Sequence, residues 1–153
     1  MHRERADDRA GSGVRRELAT VQVGLELPEV GRVVLPGDVK AYADAGGDQN
    51  PLHQDEAFAR SVGFPGIIAH GMFTMGHLTA AVLAWAGEAE AVTKISAQFR
   101  APVFMGDEIV AGGRVRAIDA DAGTATLELW VRVERDGATE WPIKKGEAVV
   151  RLA

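Results

Sequence analysis

From Lys94 to Val133 the chain keeps a two-residue beat. Ile95, Ala97, Phe99 and Ala101 alternate with Lys94, Ser96, Gln98 and Arg100. Ile109, Ala111, Gly113, Val115 and Ala117 repeat the pattern, and so do Leu127, Leu129, Val131 and Val133. Side chains of a strand point to opposite faces in turn, so each segment shows one face to a core and one to water. "DADAGT" and "RDGATE" have the chemistry of hairpin connections, and "EAVVRLA" supplies a last strand. The result is an antiparallel meander with an apolar face that something must cover.

The cover is "GMFTMGHLTAAVLAWAG". It is apolar on nearly every side, which predicts a helix over 71–86 buried all round, with Gly87 as its stop. Gly71–Ala86 is interrupted by Thr74, His77 and Thr79 and is too short for an ordinary membrane span. One buried helix followed by a meander is an α+β layer arrangement, a sheet wrapped round a helix. Such a sheet has edges left over, and pairing them in a dimer is a common remedy.

The rest is lighter. Residues 1–17 mix charges with Gly and cannot bury a face, so they are expected as a disordered tail ahead of a single domain over 18–153. Residues 18–35 read as one or two short extended segments turning at Pro28 and Gly31. "DVKAYADAG" predicts a short helix capped by Asp38 and stopped at Gly46, and "DEAFARSVG" a second one, capped by Asp55 and stopped at Gly63. Of the formal charge of −5, residues 1–16 contribute five Arg against three acids, leaving 12 basic and 19 acidic residues, or −7, in the body. An acidic body argues against a nucleic-acid surface. The absence of cysteine removes disulfides, thiolate metal sites and a Cys nucleophile. No apolar run follows the first arginines, so no secretory leader is expected and the expected location is the cytoplasm.

Chemistry concentrates in "GGDQNPLHQDEAFARSVGFPGIIAHGM", residues 46–72, which holds two of the four histidines and seven Gly or Pro residues. Asp48, Asn50 and His53 fall between the two short helices, and Pro51 pushes Asn50 out of helical backbone, which makes a defined loop. A carboxylate and an imidazole that converge can divide acid and base work near neutral pH. Equally, Asp48 and Asn50 can be turn residues bonding their own backbone, with His53 a partly buried core histidine. His70-Gly71 precedes the long helix, where first-turn amides lack partners and the dipole favours negative charge. Gly71 either lets an oxyanion approach its N–H or serves only tight packing. His70 and His77 stand seven apart with no strong metal-ligand spacing, no serine sits in a nucleophile elbow, and neither G-x-G-x-x-G nor a P-loop occurs.

"YADAGGDQNPLHQDEAFARSVGFPGIIAHGMFTMG" resembles the signature of MaoC-like hot-dog proteins, the R-specific enoyl-CoA hydratases and (R)-3-hydroxyacyl thioester dehydratases. D-x-N-P-L-H, then F-A, then A-H-G-M form a long ordered pattern, and "AQFRAPVFMGDEI" looks like the family's following strand, turn and strand. The resemblance covers roughly residues 18–152 and is nearest in look to the catalytic B-type subunit of actinobacterial type II fatty-acid dehydratases. It implies a hot-dog fold, a long helix wrapped by a curved antiparallel sheet, pairing into a homodimer or with a related subunit. It implies that Asp48 and His53 are the acid–base pair and that Gly71 donates its amide to the thioester carbonyl. Asn50, Ala69, His70, Met72, Thr79 and Phe99 then become substrate-site residues, Thr79 where some relatives have a serine.

The implied reaction is reversible hydration of a trans-2-enoyl thioester to the (R)-3-hydroxyacyl thioester. It needs no metal and no redox cofactor, because the thioester itself acidifies C2; CoA or acyl-carrier protein enters as the substrate's handle. Two rivals share the fold, a hot-dog acyl thioesterase and a non-catalytic acyl-thioester-binding partner subunit. The presence of both Asp48 and His53 argues against the second. Lys94, Arg100, Arg114 and Arg116 are cations that could meet an acidic carrier or CoA phosphates, though outward cations on strands are usually just solvated.

Overall fold

The computed structural model describes residues 13–153. Five antiparallel strands form one sheet: β1 (Val30–Val33), β2 (Val92–Phe99), β3 (Glu108–Asp119), β4 (Thr124–Arg135) and β5 (Ala138–Arg151), in the order β1-β3-β4-β5-β2. Three helices precede β2: α1 (Pro36–Gly46), α2 (Glu56–Ser61) and α3 (Gly71–Ala86). The sheet wraps α3, which touches β2, β3, β4 and β5. Leu127, Leu129, Val131 and Val133 of β4 are fully buried against Leu78 and Val82 of α3 in one continuous core. Helix and wrapped sheet together are the expected α+β hot-dog arrangement.

Several local expectations shift. Helix α3 is not buried all round: Thr74, Leu78, Val82, Trp85 and Ala86 form its buried side, while Met72, Gly76, Ala80 and Ala84 are exposed. A single sheet covers only one side of a helix, and small residues kept the other side apolar in sequence without giving it much surface. Asp38 is not the cap of α1. The helix starts at Pro36, and Asp38 sits within its first turn, where its Oδ2 accepts the Leu35 N–H at 3.2 Å. Gly31 lies inside β1 instead of at a turn. A register shift between Val115 and Ala117 turns Ala117 outward and Ile118 towards the core. Strand β5 begins nine residues before Glu147, at Ala138, so the expected "EAVVRLA" is only its second half.

Of the expected tail, residues 1–12 lie outside the described residues. Gly13 to Arg16 run along the end of α3: the Gly13 N–H donates to Gly87 O at 3.0 Å and Arg16 Nε to Trp85 O at 2.9 Å. Among the described residues no helix is long and apolar enough to cross a membrane.

Candidate active site

The loop after α1 is built by its own side chains. Gly47 takes φ +79° and turns the chain out of the helix, a conformation that a side chain would strain. Asp48 Oδ1 then accepts the Asn50 N–H at 3.1 Å, and Asn50 Oδ1 accepts the Leu52 N–H at 3.0 Å, capping a 3-10 turn over Pro51–His53. Both residues thus do hold the turn. Asp48 nevertheless keeps Oδ2 free of that bond.

His53 is oriented from the other side of the loop. Its Nδ1 lies 2.7 Å from the carbonyl oxygen of Ile68. A carbonyl only accepts, so Nδ1 carries the hydrogen and Nε2 of the neutral ring keeps its lone pair. That Nε2 stands 3.9 Å from Asp48 Oδ2, with the imidazole 12% and the carboxylate 56% exposed. One member of the pair is sheltered and the other reaches water.

His70 ties this loop to the long helix. It is buried, its Nε2 donates to the Asp48 carbonyl at 3.0 Å, and its ring stacks on His53 with centroids 3.7 Å apart. Tyr42 of α1 leans against the His70 ring, with centroids 4.9 Å apart and the planes tilted by 50°. The next residue, Gly71, opens α3, so its N–H is one of the first-turn amides that a helix leaves unpaired. A Cβ on Gly71 would lie 3.3 Å from three atoms of the Phe99 ring, tighter than ordinary contact, and Gly71 has no left-handed φ.

Asp48, His53, His70, Gly71, Met72 and Phe99 therefore line one cavity of about 440 Å³, together with Tyr42 and Gly46. Of the other expected substrate residues, Asn50 supports the loop without lining the cavity, and Ala69 lines an adjoining hollow. Thr79 donates to the Met75 carbonyl of its own helix and lines neither. Sequence reasoning passed over Tyr42; the signal was there, since the chain's single Tyr stands four residues before Gly46 and shares its helix face. A wider hollow of about 560 Å³ lies beside Pro65 and Met105, but its one cation, Arg135, is already paired with Asp107. It offers no converging acid and base.

Asp48, His53 and His70 each present a ligand atom within 4.8 Å of the others, a spacing a divalent cation could use. His70 Nε2 and His53 Nδ1 are committed to carbonyls, which leaves the buried, unpartnered His70 Nδ1 open, but a metal on His53 Nε2 would occupy the lone pair that proton transfer needs. The donor set fits an acid–base site better than a metal cradle.

The sequence profile of the MaoC like domain matches residues 19–134. The chain belongs to the MaoC-like domain family. Among curated members, the mitochondrial 3-hydroxyacyl-acyl-carrier-protein dehydratase of Arabidopsis thaliana is 41% identical over 98 residues, covering 64% of this chain and 57% of that protein. The (R)-specific enoyl-CoA hydratase of Aeromonas caviae is 37% identical over 117 residues, 75% of this chain and 84% of the relative. The solved (R)-hydratase from A. caviae superposes with a TM-score of 0.77 at 31% identity, covering 88% of this chain and 98% of that one. A MaoC-like dehydratase structure gives 0.81 at 32% identity over 94% of this chain, which spans only 44% of that longer protein. This MaoC-like chain thus matches some members almost end to end, while its match spans a little over half, or less, of the length of others.

Proposed function

We propose that the chain is a hydro-lyase that adds water reversibly to trans-2-enoyl thioesters, giving (R)-3-hydroxyacyl thioesters. The observation that carries this reading is the His53 ring, whose Nδ1–H is held by the Ile68 carbonyl so that its Nε2 lone pair faces Asp48 Oδ2 in the cavity that Gly71 also lines. In the forward direction His53 Nε2 takes a proton from water as its oxygen bonds to C3. Asp48 delivers a proton to C2 on the same face of the alkene, and one proton passed between the two groups restores the pair. Negative charge gathers on the thioester oxygen meanwhile, and the Gly71 N–H receives it; a preorganised donor of this kind contributes about 3–4 kcal/mol. The curated relatives named above are a hydratase and a dehydratase, which favours addition to the alkene over hydrolysis of the C–S bond.

The working unit in this reading is a pair of hot-dog chains, homodimeric or with a related subunit. In support, β1 and β2 are open sheet edges, and Met72 and Phe99 at the cavity are 56% and 51% exposed. Light scattering should give about twice the chain mass, and a folded, active monomer removes this part.

The deciding assay is crotonyl-CoA with purified protein. Loss of the conjugated alkene with formation of (R)-3-hydroxybutyryl-CoA is expected. Release of free thiol with the alkene intact would make the chain a thioesterase, and inertness of the folded protein towards crotonyl and longer enoyl thioesters would sink the reading.

A further inference from the structure

Strand β5 spends two consecutive lysines, Lys144 and Lys145, on one hollow. Adjacent side chains of a regular strand point to opposite faces. Here the strand is bulged. Moving from Gln98 to Ser96 on β2, the β5 partner jumps from Lys144 to Glu147, and from Val131 to Leu129 on β4 it jumps from Ile143 to Gly146. Both neighbours thus see one extra β5 residue. Lys145 accommodates it with φ +55°, a conformation that usually falls to glycine at such a bulge. Gly146, which would adopt it freely, stands next door. The sequence places a lysine at the costly position, and both lysines line the same hollow.

The hollow they share has a volume of about 410 Å³ and is also lined by Arg100, Ala101, Glu140 and Trp141. Three cations against one carboxylate leave it net positive on a chain whose formal charge is −5. Pairing separates these cations from several others on the sheet. Lys94 and Arg116 are bridged to Glu147, and Arg114 to Glu128. Arg100 donates to the Gln98 amide oxygen, and Lys144 rests 5.7 Å from the centre of the Trp141 ring. Among the described residues no carboxylate forms an ion pair with Arg100, Lys144 or Lys145. Unpaired cations gathered round a concave surface with an aromatic ring suit a compact polyanion that carries its own ring.

The hollow also lies on a path to the chemistry. It shares Arg100 and Ala101 with a mainly apolar trough of about 330 Å³, and that trough shares Gly71 and Phe99 with the catalytic cavity. A thioester held at Gly71 can therefore run its arm along the trough and end among the cations. We propose that the hollow of Arg100, Trp141, Lys144 and Lys145 binds the phosphorylated adenosine end of coenzyme A, so that a free CoA thioester is the substrate of this site. The proposal rests on the hydratase reading of the cavity and adds the substrate's handle to it.

The test compares crotonyl-CoA with crotonyl-pantetheine, which lacks the nucleotide and its phosphates, on the full chain. In the double variant Lys144→Ala/Lys145→Gly the glycine takes the left-handed φ without strain, so folding is preserved. The ratio of kcat/KM for crotonyl-CoA to that for crotonyl-pantetheine should fall about tenfold, mostly through KM, as expected for losing two phosphate contacts. Adenosine 3′,5′-bisphosphate should bind the wild type by calorimetry and bind the variant more weakly by a similar factor. An unchanged ratio in a folded variant overturns the proposal. So does a variant that loses turnover of crotonyl-acyl-carrier protein but not of crotonyl-CoA, which would make the patch a protein-docking surface. If neither thioester is hydrated by the wild type, the hydratase reading fails, and the bisphosphate titration still decides for or against the hollow.

Discussion

Strand β4 and the stretch from Gly46 to Gly71 use their residues in opposite ways. In β4 the backbone pairs on both sides and the inward side chains Leu127, Leu129, Val131 and Val133 do nothing but fill space. In the loop much of the backbone is held by side chains, through Asp48, Asn50, Asp55 and His70. The strand is specified by a period and can be read from any few of its residues. The loop is specified by individual bonds, and each bonding group that also faces the cavity carries two duties at once. Damage to β4 should therefore appear in stability and leave the site of the surviving folded protein intact, while damage to the loop should appear in turnover.

The largest expected effect is in β4. Leu129 lies between Gly113 and Gly146, its partners on either side, and a Cβ on either glycine would come within 3.0 Å of it. Leu129→Ala leaves a space that no flanking side chain can collapse into, so it should cost about 3–5 kcal/mol of unfolding free energy in urea titration. A loss below about 1 kcal/mol would mean the strand tolerates cavities and the comparison is drawn too sharply. Its counterparts in the loop are Asp48→Asn and His53→Gln. Each should lower kcat for crotonyl-CoA by about a hundredfold or more, with the urea midpoint close to wild type. A folded variant with near wild-type kcat would take that residue out of the proton chemistry.

How much of this could be read beforehand follows the same division. Alternation located β2, β3 and β4, and the helix grammar located α2 with Asp55 as its cap, because these depend on patterns repeated along the chain. The first half of β5 went unseen because Pro142 and the paired lysines break alternation, and the bulge that reconciles them with the sheet is a tertiary fact. Ala117 and Ile118 exchanged faces for the same reason. In the site, Asp48, His53, Gly71 and Phe99 were singled out and converge on one cavity, whereas Thr79 turned its hydroxyl to its own helix. Tyr42 shares a helix face with Gly46, which was legible; that α1 folds back to set this face against His70 is a tertiary fact that the spacing does not announce.

Gly71 sharpens the comparison, since it belongs to the loop and to the helix that plugs the sheet. A branched side chain there would push against the Phe99 ring while leaving the N–H in place. Phe99 sits on an edge strand and is half exposed, so its ring can give way at small cost to folding. Gly71→Val should lower kcat/KM by about tenfold to a hundredfold through a displaced carbonyl, with a stability loss of less than about 1 kcal/mol. A crystal complex with an unreactive enoyl-CoA analogue whose thioester oxygen lies far from the Gly71 N–H, its alkene still between Asp48 and His53, would reduce Gly71 to a packing residue.

The smallest effect tests whether the start of α1, which carries Tyr42 and Gly46 to the cavity, behaves as loop or as scaffold. Asp38 Oδ2 accepts the Leu35 N–H, and Oδ1 accepts from Arg32 Nη2 at 2.9 Å. The backbone bond first, and the Arg32 bond second, hold the Asp38 carboxyl below the usual carboxylate range. Because the folded pKa is depressed, the unfolded chain binds the proton more readily, and the stabilisation is fully present above the unfolded value of about 3.9. It fades as pH falls from there through the folded pKa. Asp38→Asn should then cost about 1 kcal/mol at pH 7, the scale of a lost helix cap. The gap between variant and wild type should narrow below about pH 4, and crotonyl-CoA turnover at pH 7 should hardly move if α1 is scaffold. The carboxyl titration can be followed by NMR. A midpoint at or above the ordinary Asp value would deny the depressed pKa, and a large loss of turnover at unchanged stability would move the start of α1 to the loop's side of the comparison.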